Sequence, residues 1–132
     1  MKSLIYPLGI GALMLGIITM SFADNQKKTE TAAAFRHAVF FKFKENAPKK
    51  DITVIENAFV ALENKIELIA DFEWGTSESV ENLNDGFTHC FFVTFKNRED
   101  LKAYIVHPEH KAFVKLLDGK IGNVFVFDYT AK

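Results

Sequence analysis

The sequence predicts an α+β domain in which helices cover one face of a single antiparallel sheet, in the order βαββαβ. Three observations support this prediction. Two strand-like segments share one residue pattern, a helical apolar stripe follows the first of them, and a second helical region follows the other. A closing strand-like segment then ends the chain.

The first and third predicted strands alternate in the same way. Residues 35–44 read FRHAVFFKFK and residues 87–96 read FTHCFFVTFK. In each segment a histidine precedes three large apolar residues on one face, namely His37 with Val39, Phe41 and Phe43, and His89 with Phe91, Val93 and Phe95. The apolar faces are expected to pack under the helices, with both imidazoles directed inward.

The helices and remaining strands are predicted from spacing and turn chemistry. Residues 49–69 carry apolar side chains at spacings of three and four, which is typical of an amphipathic helix. Residues 71–77 predict a short strand, which Gly75 ends or bulges, and residues 78–86 a loop with a turn at its end. Residues 97–117 predict a helical region that begins at Asn97 and bends or restarts at Pro108.

The closing strand at 121–130 places Val124, Val126 and Asp128 on one face. The complete order is a ferredoxin-like layout. The opposite sheet face is too apolar to remain in water, since it carries Phe40, Phe92, Phe125 and Phe127. Two such sheets packed face to face would bury these rings, so we expect a homodimer.

The composition fits one globular domain. The chain has 132 residues, 48% of them hydrophobic, and its 14 Phe predict an aromatic core. A formal net charge of −1 indicates no basic surface for nucleic acid or for an anionic membrane. Cys90 is the only cysteine, so it cannot form an internal disulfide, and we expect it to be a buried small hydrophobic residue.

Residues 1–23 have the pattern of a signal peptide. Lys2 supplies a positive start, residues 4–22 carry no charge, and Ser21 and Ala23 are small residues at the positions that a signal peptidase reads. We therefore expect an exported protein, periplasmic or secreted, without a membrane association after cleavage. An uncleaved membrane anchor is the less favoured alternative. Residues 24–34 predict a flexible linker, and residues 35–132 the domain.

Several segments resemble the stress-responsive A/B barrel (Dabb) family of dimeric α/β barrels. They are the strand that begins Arg36-His37, the pairs Trp74-Gly75 and Gly86-Phe87, the segment from Tyr104 to His110, and Phe127-Asp128-Tyr129. The resemblance covers essentially the whole predicted domain. It implies a dimeric α+β barrel, while most members of the family have no assigned reaction.

One plant member of the family is a cyclase that closes a linear polyketide by an aldol reaction. The resemblance places His110 at its catalytic histidine, Tyr104 at its catalytic tyrosine, and His37 and His89 at histidines of its pocket wall. Phe59 replaces a pocket tyrosine of the cyclase, so the resemblance does not imply the same substrate. A histidine suits proton abstraction near neutral pH, and a tyrosine hydroxyl can donate to a developing enolate.

We therefore expect His110, Tyr104 and His37 to be the catalytic residues of a cofactor-free cyclase or lyase, if the protein is an enzyme. Asp128 can orient an imidazole by accepting its N–H. A small hydrophobic ligand is expected in a pocket that is lined by His89, Phe59, Trp74, Val124, Val126 and Asp128.

Other interpretations of the sequence remain open. The protein can be a ligand-binding module without turnover, or a structural domain with a filled core. His107 can cap the helix that restarts at Pro108, and His37 and His89 can be core histidines. A metal site at His107 and His110 lacks a completing set of carboxylates or cysteines, so none is predicted. No residue distinguishes an axial haem ligand among the four histidines.

Overall fold

The computed structural model describes residues 34–132, which form one four-stranded sheet and three helices. The elements are β1 (Phe35–Phe43), α1 (Lys49–Lys65), β2 (Ile69–Thr76), β3 (His89–Phe95), α2 (Arg98–Val106), α3 (Pro108–Leu116) and β4 (Ile121–Thr130). The α+β, ferredoxin-like layout is confirmed. The predicted signal peptide and all of the predicted linker except Ala34 lie outside the described residues.

The sheet is antiparallel, with strand order β2-β3-β1-β4. Central strand β1 pairs with β3 on one side and with β4 on the other, so His37 lies between Val93 and Asp128. Because side chains alternate along a strand, all three belong to the inner, helix-covered face. The register therefore brings a carboxylate beside the first histidine.

Aromatic rings join the helices to the inner sheet face. Phe59 of α1 stacks on Phe91 of β3 with ring centroids 4.3 Å apart, and Phe113 of α3 lies 4.5 Å from Phe59. Ile55 and Leu62 complete the buried side of α1. The spacing of three and four seen in the sequence thus forms the contact face of this helix.

Helix α1 ends at Lys65 rather than at Ile69, and β2 begins at Ile69 rather than at Asp71. Ile66 has extended backbone angles (φ −127°, ψ 102°), and its carbonyl accepts the N–H of Ile69 at 3.1 Å. This early turn lets the buried Ile69 pair with Phe95 on β3. Strand pairing therefore displaces the last predicted turn of helix.

Gly75 neither ends nor bulges β2. The strand passes through it to Thr76, and the irregular pairing with β3 lies between Ile69 and Asp71. Strand β3 spans His89–Phe95 rather than 87–96. The N–H of Phe87 closes the preceding turn on the Asn84 carbonyl, and the N–H of Thr88 then donates to the Phe41 carbonyl of β1. Strand β1 ends at Phe43, one residue before its predicted end.

The predicted turn and cap are confirmed. Asp85 and Gly86 have positive φ angles of 47° and 77°, and a Cβ on Gly86 would lie 2.7 Å from Cε of Lys42. Asn97 caps α2 by accepting the N–H of Asp100 at 2.8 Å. The break at Pro108 separates α2 from α3.

The outer sheet face is apolar and partly exposed. Phe125 and Phe127 are 51% and 55% exposed, and Tyr129 is 38% exposed. Among residues 34–132, no helix is both long and apolar enough to cross a membrane.

Substitution of Leu62 tests the packing of α1 on the sheet. Leu62 is 2% exposed, so Leu62→Ala is expected to lower the free energy of unfolding by about 2–5 kcal/mol in urea denaturation. The matched control is Leu83→Ala in the β2–β3 loop, where the side chain is 79% exposed and the expected change is within about 0.5 kcal/mol. Equal effects of the two substitutions would contradict this packing.

Candidate functional site

A cavity of about 290 Å³ lies between the inner sheet face and helices α1, α2 and α3. Strand β1 contributes His37, Val39 and Phe41, and β4 contributes Val124 and Val126. The helical side consists of Phe59, Tyr104, Ile105, His110, Phe113, Val114 and Leu117. The cavity therefore contains all three predicted catalytic residues and three of the predicted pocket residues.

His37 is held by a carboxylate across the β1–β4 pair. Its Nδ1 lies 2.6 Å from Oδ1 of Asp128, and the residue is 8% exposed. A carboxylate can only accept, so Nδ1 carries the proton and Nε2 is the remaining ring nitrogen. Asp128 thus orients an imidazole as the sequence predicts, although it does not itself line the cavity.

Tyr104 presents a buried hydroxyl that has no hydrogen-bonding partner among the described residues. Its side chain is 0% exposed, and its ring packs edge-on against His37 at 6.1 Å. Burial strongly raises the pKa of this hydroxyl. Tyr104 therefore stays protonated at neutral pH and can donate a hydrogen bond.

His110 lies over Tyr104, with ring centroids 4.4 Å apart. Its Nδ1 donates to the Ile105 carbonyl at 3.0 Å, which leaves Nε2 with the free lone pair. Burial lowers the pKa of His110 below its ordinary 6.5; the neighbouring His37 and His107 also lower it, and the bond to Ile105 opposes the shift. At neutral pH the imidazole is therefore neutral rather than cationic, and its Nε2 can accept a proton.

The cavity opens between α2–α3 and the edge strand β4. At this opening Ile105, Val114, Val124 and Val126 are each 43–46% exposed. Within the described residues, no lysine, arginine or carboxylate lines the cavity. The site thus has a polar end formed by two imidazoles and a phenol, and apolar walls elsewhere.

His89 and Trp74 lie together outside this cavity. Nε2 of His89 is 2.9 Å from Oε1 of Glu56, and its Nδ1 is 2.7 Å from Oγ1 of Thr88. Trp74 stacks on His89 at 6.4 Å. Both nitrogens of His89 are therefore engaged in a contact that ties α1 to β3.

Phe59 lines the cavity, 2% exposed, and offers no hydroxyl there. The sequence-based prediction missed the Ile105 carbonyl and the wall residues of α3. The sequence did indicate this carbonyl. Pro108 interrupts the helix, so the Ile105 carbonyl is expected to lack its usual helical hydrogen bond. His107 caps α3 by accepting the N–H of Glu109 at 3.2 Å.

A second, larger cavity of about 390 Å³ lies on the outer face, and the predicted pocket residue His89 lines it together with Phe40, Phe87, Phe125 and Cys90. Cys90 is partly buried rather than fully buried, and burial, with a smaller contribution from Glu73, raises its pKa. This cavity lacks His37, Tyr104 and His110. We assign the candidate site to the inner cavity because it combines two imidazoles with an unpaired phenol, whereas both ring nitrogens of His89 are already engaged. Residues 34–132 contain no group of three or more His, Cys, Asp or Glu side chains that could hold a metal ion.

The sequence profile of the stress responsive A/B barrel domain (Dabb) family matches residues 35–131. The chain belongs to this family. The Arabidopsis thaliana Dabb protein HS1 is 34% identical over 100 residues, which cover 76% of this chain and 92% of HS1. Olivetolic acid cyclase of Cannabis sativa is 30% identical over 99 residues, which cover 75% of this chain and 98% of the cyclase.

Two solved structures share the fold. Hydroxynitrile lyase from Passiflora edulis matches with a TM-score of 0.72 and 27% identity, over 76% of this chain and 95% of the lyase. A dimeric protein of ferredoxin-like fold from Bacteroides fragilis matches with a TM-score of 0.62 and 28% identity, over 74% of this chain and 96% of that protein. Proteins similar to this chain thus include a cyclase, a hydroxynitrile lyase and a dimeric protein of ferredoxin-like fold.

Removal of the Tyr104 hydroxyl tests whether it is unpaired. An unsatisfied buried hydroxyl costs stability, so Tyr104→Phe is expected to raise the free energy of unfolding by about 1 kcal/mol. The control is Ser79→Ala, which removes an exposed hydroxyl of the β2–β3 loop and is expected to change the free energy of unfolding by no more than about 0.5 kcal/mol. A clear loss of stability in Tyr104→Phe would mean that the hydroxyl is bonded in the folded protein.

Proposed function

We propose that this Dabb protein is an acid/base enzyme of the cyclase or lyase class that acts on a small, neutral, apolar carbonyl compound. One observation carries the proposal: the unpaired, buried hydroxyl of Tyr104 lies beside the unprotonated imidazole of His110, 4.4 Å between ring centroids, in an apolar cavity. Such a buried donor costs stability unless a bound group uses it.

The two side chains have complementary roles in proton transfer. Nε2 of His110 removes a proton from the carbon next to the substrate carbonyl, and the electron pair moves into the enolate. The Tyr104 hydroxyl donates a hydrogen bond to the enolate oxygen, where negative charge develops. His37, fixed by Asp128 and with its ring 6.1 Å from that of Tyr104, offers Nε2 as a second hydrogen-bonding group.

The cavity indicates the kind of substrate. Its volume of about 290 Å³ is at the lower end of the range for small-molecule sites. The described lining residues provide no cationic partner for a carboxylate or phosphate, so a neutral compound with a short apolar body fits best. Phe59 gives the deep end an apolar surface, so a substrate with a polar group there is disfavoured.

The relatives support this class of reaction. A cyclase and a hydroxynitrile lyase, as their names state, are built on the same domain at 27–30% identity. A ligand-binding protein without turnover is the second candidate, favoured by the largely apolar cavity wall. The two candidates differ only in whether His110 transfers a proton.

The test uses benzylacetone, a small neutral ketone, and follows exchange of its α-protons in D₂O by NMR. The wild type is expected to accelerate this exchange, and His110→Ala is expected to slow it by about 10²- to 10⁴-fold while the ketone still binds. The exchange rate should rise with pH through a midpoint below 6.5, because only unprotonated His110 can act as base. The exchange rate is not expected to fall again near pH 10, since burial raises the pKa of Tyr104 and keeps its hydroxyl protonated there.

His107→Ala is the matched control, because it removes a histidine of the same segment that does not line the cavity. Binding without any exchange in the wild type would favour the ligand-binding candidate. Unchanged exchange in His110→Ala would remove His110 from the mechanism.

We further propose that the exported protein is a homodimer that buries the outer sheet face. The exposed rings of Phe125 and Phe127 provide an apolar surface of the kind that subunits bury, and a related ferredoxin-like protein is dimeric. The uncharged segment at residues 4–22 and the small residues Ser21 and Ala23 support export with cleavage before Asp24.

Native mass spectrometry of the purified mature protein tests both features at once. We expect a dimer of chains that begin at Asp24, and a monomer for the double substitution Phe125→Asp with Phe127→Asp. Val54→Asp, at a side chain of α1 that is 54% exposed, should remain dimeric. A monomeric wild type would contradict the dimer, and a mass that includes residues 1–23 would contradict cleavage.

A further inference from the structure

The break between α2 and α3 lies next to the hydrogen bond that orients His110. His107 ends α2 with extended backbone angles (φ −62°, ψ 137°), and Pro108 is the first residue of α3. The ring of a proline keeps the preceding residue out of the helical region, and its nitrogen cannot donate a hydrogen bond. The sequence therefore enforces this break.

The break changes the partner of one backbone carbonyl. In an uninterrupted helix the Ile105 carbonyl would accept from the N–H of Glu109, four residues later. Here the Glu109 N–H donates instead to Nδ1 of His107 at 3.2 Å. The Ile105 carbonyl accepts from Nδ1 of His110 at 3.0 Å.

We propose that Pro108 is a positioning residue for His110, because the break that it causes frees the Ile105 carbonyl to hold the imidazole as its Nδ1–H tautomer. A neutral imidazole has two tautomers, and the hydrogen bond made by one nitrogen determines which is populated. With Nδ1 bonded, Nε2 is the proton acceptor. Its use in catalysis rests on the proposed function, whereas the tautomer itself exists without substrate.

Among the groups around His110, the Ile105 carbonyl is the one whose hydrogen bond favours the Nδ1–H tautomer. The neighbouring titratable groups are Tyr104, His37 and His107, and the two histidines lower the pKa of His110, as burial does. The bond to Ile105 raises it. Loss of that bond should therefore both mix the tautomers and lower the pKa further.

Pro108→Ala tests the inference because it restores an N–H and lets the helix continue, so that Glu109 competes for the Ile105 carbonyl. The readout is the ¹⁵N spectrum of the His110 imidazole at a pH above 6.5, assigned by comparison with His110→Ala. The ratio of Nδ1–H to Nε2–H tautomer is expected to fall about tenfold, the effect of one lost hydrogen bond. Pro108→Gly should act in the same direction but less strongly, because glycine favours the helix less.

Two controls separate this role from general effects. Pro48→Ala makes the same change before α1, and His107→Ala removes the cap of α3 but keeps the proline. Both should retain the wild-type tautomer. The inference is overturned if folded Pro108→Ala keeps the wild-type ratio, or if either control changes the ratio as much.

The outcome is distinguishable from failure of the proposed function. If the wild type exchanges no ketone α-protons but Pro108→Ala mixes the tautomers, the positioning role stands and the proposed reaction does not. If exchange occurs, Pro108→Ala should lower kcat about tenfold with KM little changed, since the cavity walls are kept.

Discussion

The contact between Phe59 of α1 and Phe91 of β3 sets the distance between the helical layer and the sheet, and the cavity depends on that distance. Phe113 of α3 rests on the same Phe59 ring, so one side chain supports both helices. Towards β4 the sheet contributes Val124 and Val126 in place of aromatic rings. Valine is too small to fill the same depth, and the space beneath Tyr104 remains open.

The sequence predicted the layers of this fold and three polar residues of the site, for a physical reason. Alternation in β1 and β3 and the helical stripe of α1 are local patterns, and Pro108 acts on its own neighbours. His89 has the same sequence format as His37, but it lines the outer cavity rather than the inner one. The difference between them is their partner in space, Glu56 for one and Asp128 for the other, and pairing across distant segments is not encoded in local spacing.

The inner cavity concentrates polar groups where the fold would be more stable without them. A buried hydroxyl that lacks a partner and an imidazole with a lowered pKa both oppose folding. For His110 this cost grows as pH falls below 6.5, because the unfolded chain then binds the proton more readily. The aromatic layer around Phe59 supplies stability that offsets these costs, which explains why packing and chemistry share one face.

The segment from Tyr104 to His110 combines these functions within seven residues. Tyr104 supplies a donor, Pro108 breaks the helix, Ile105 provides the released carbonyl, and His110 provides the acceptor. A straight helix would pair Ile105 with Glu109 and leave the orientation of His110 to side-chain packing alone. The break at Pro108 is compatible with a stable domain because His107 caps α3. It serves the site because it fixes which nitrogen of His110 faces the substrate.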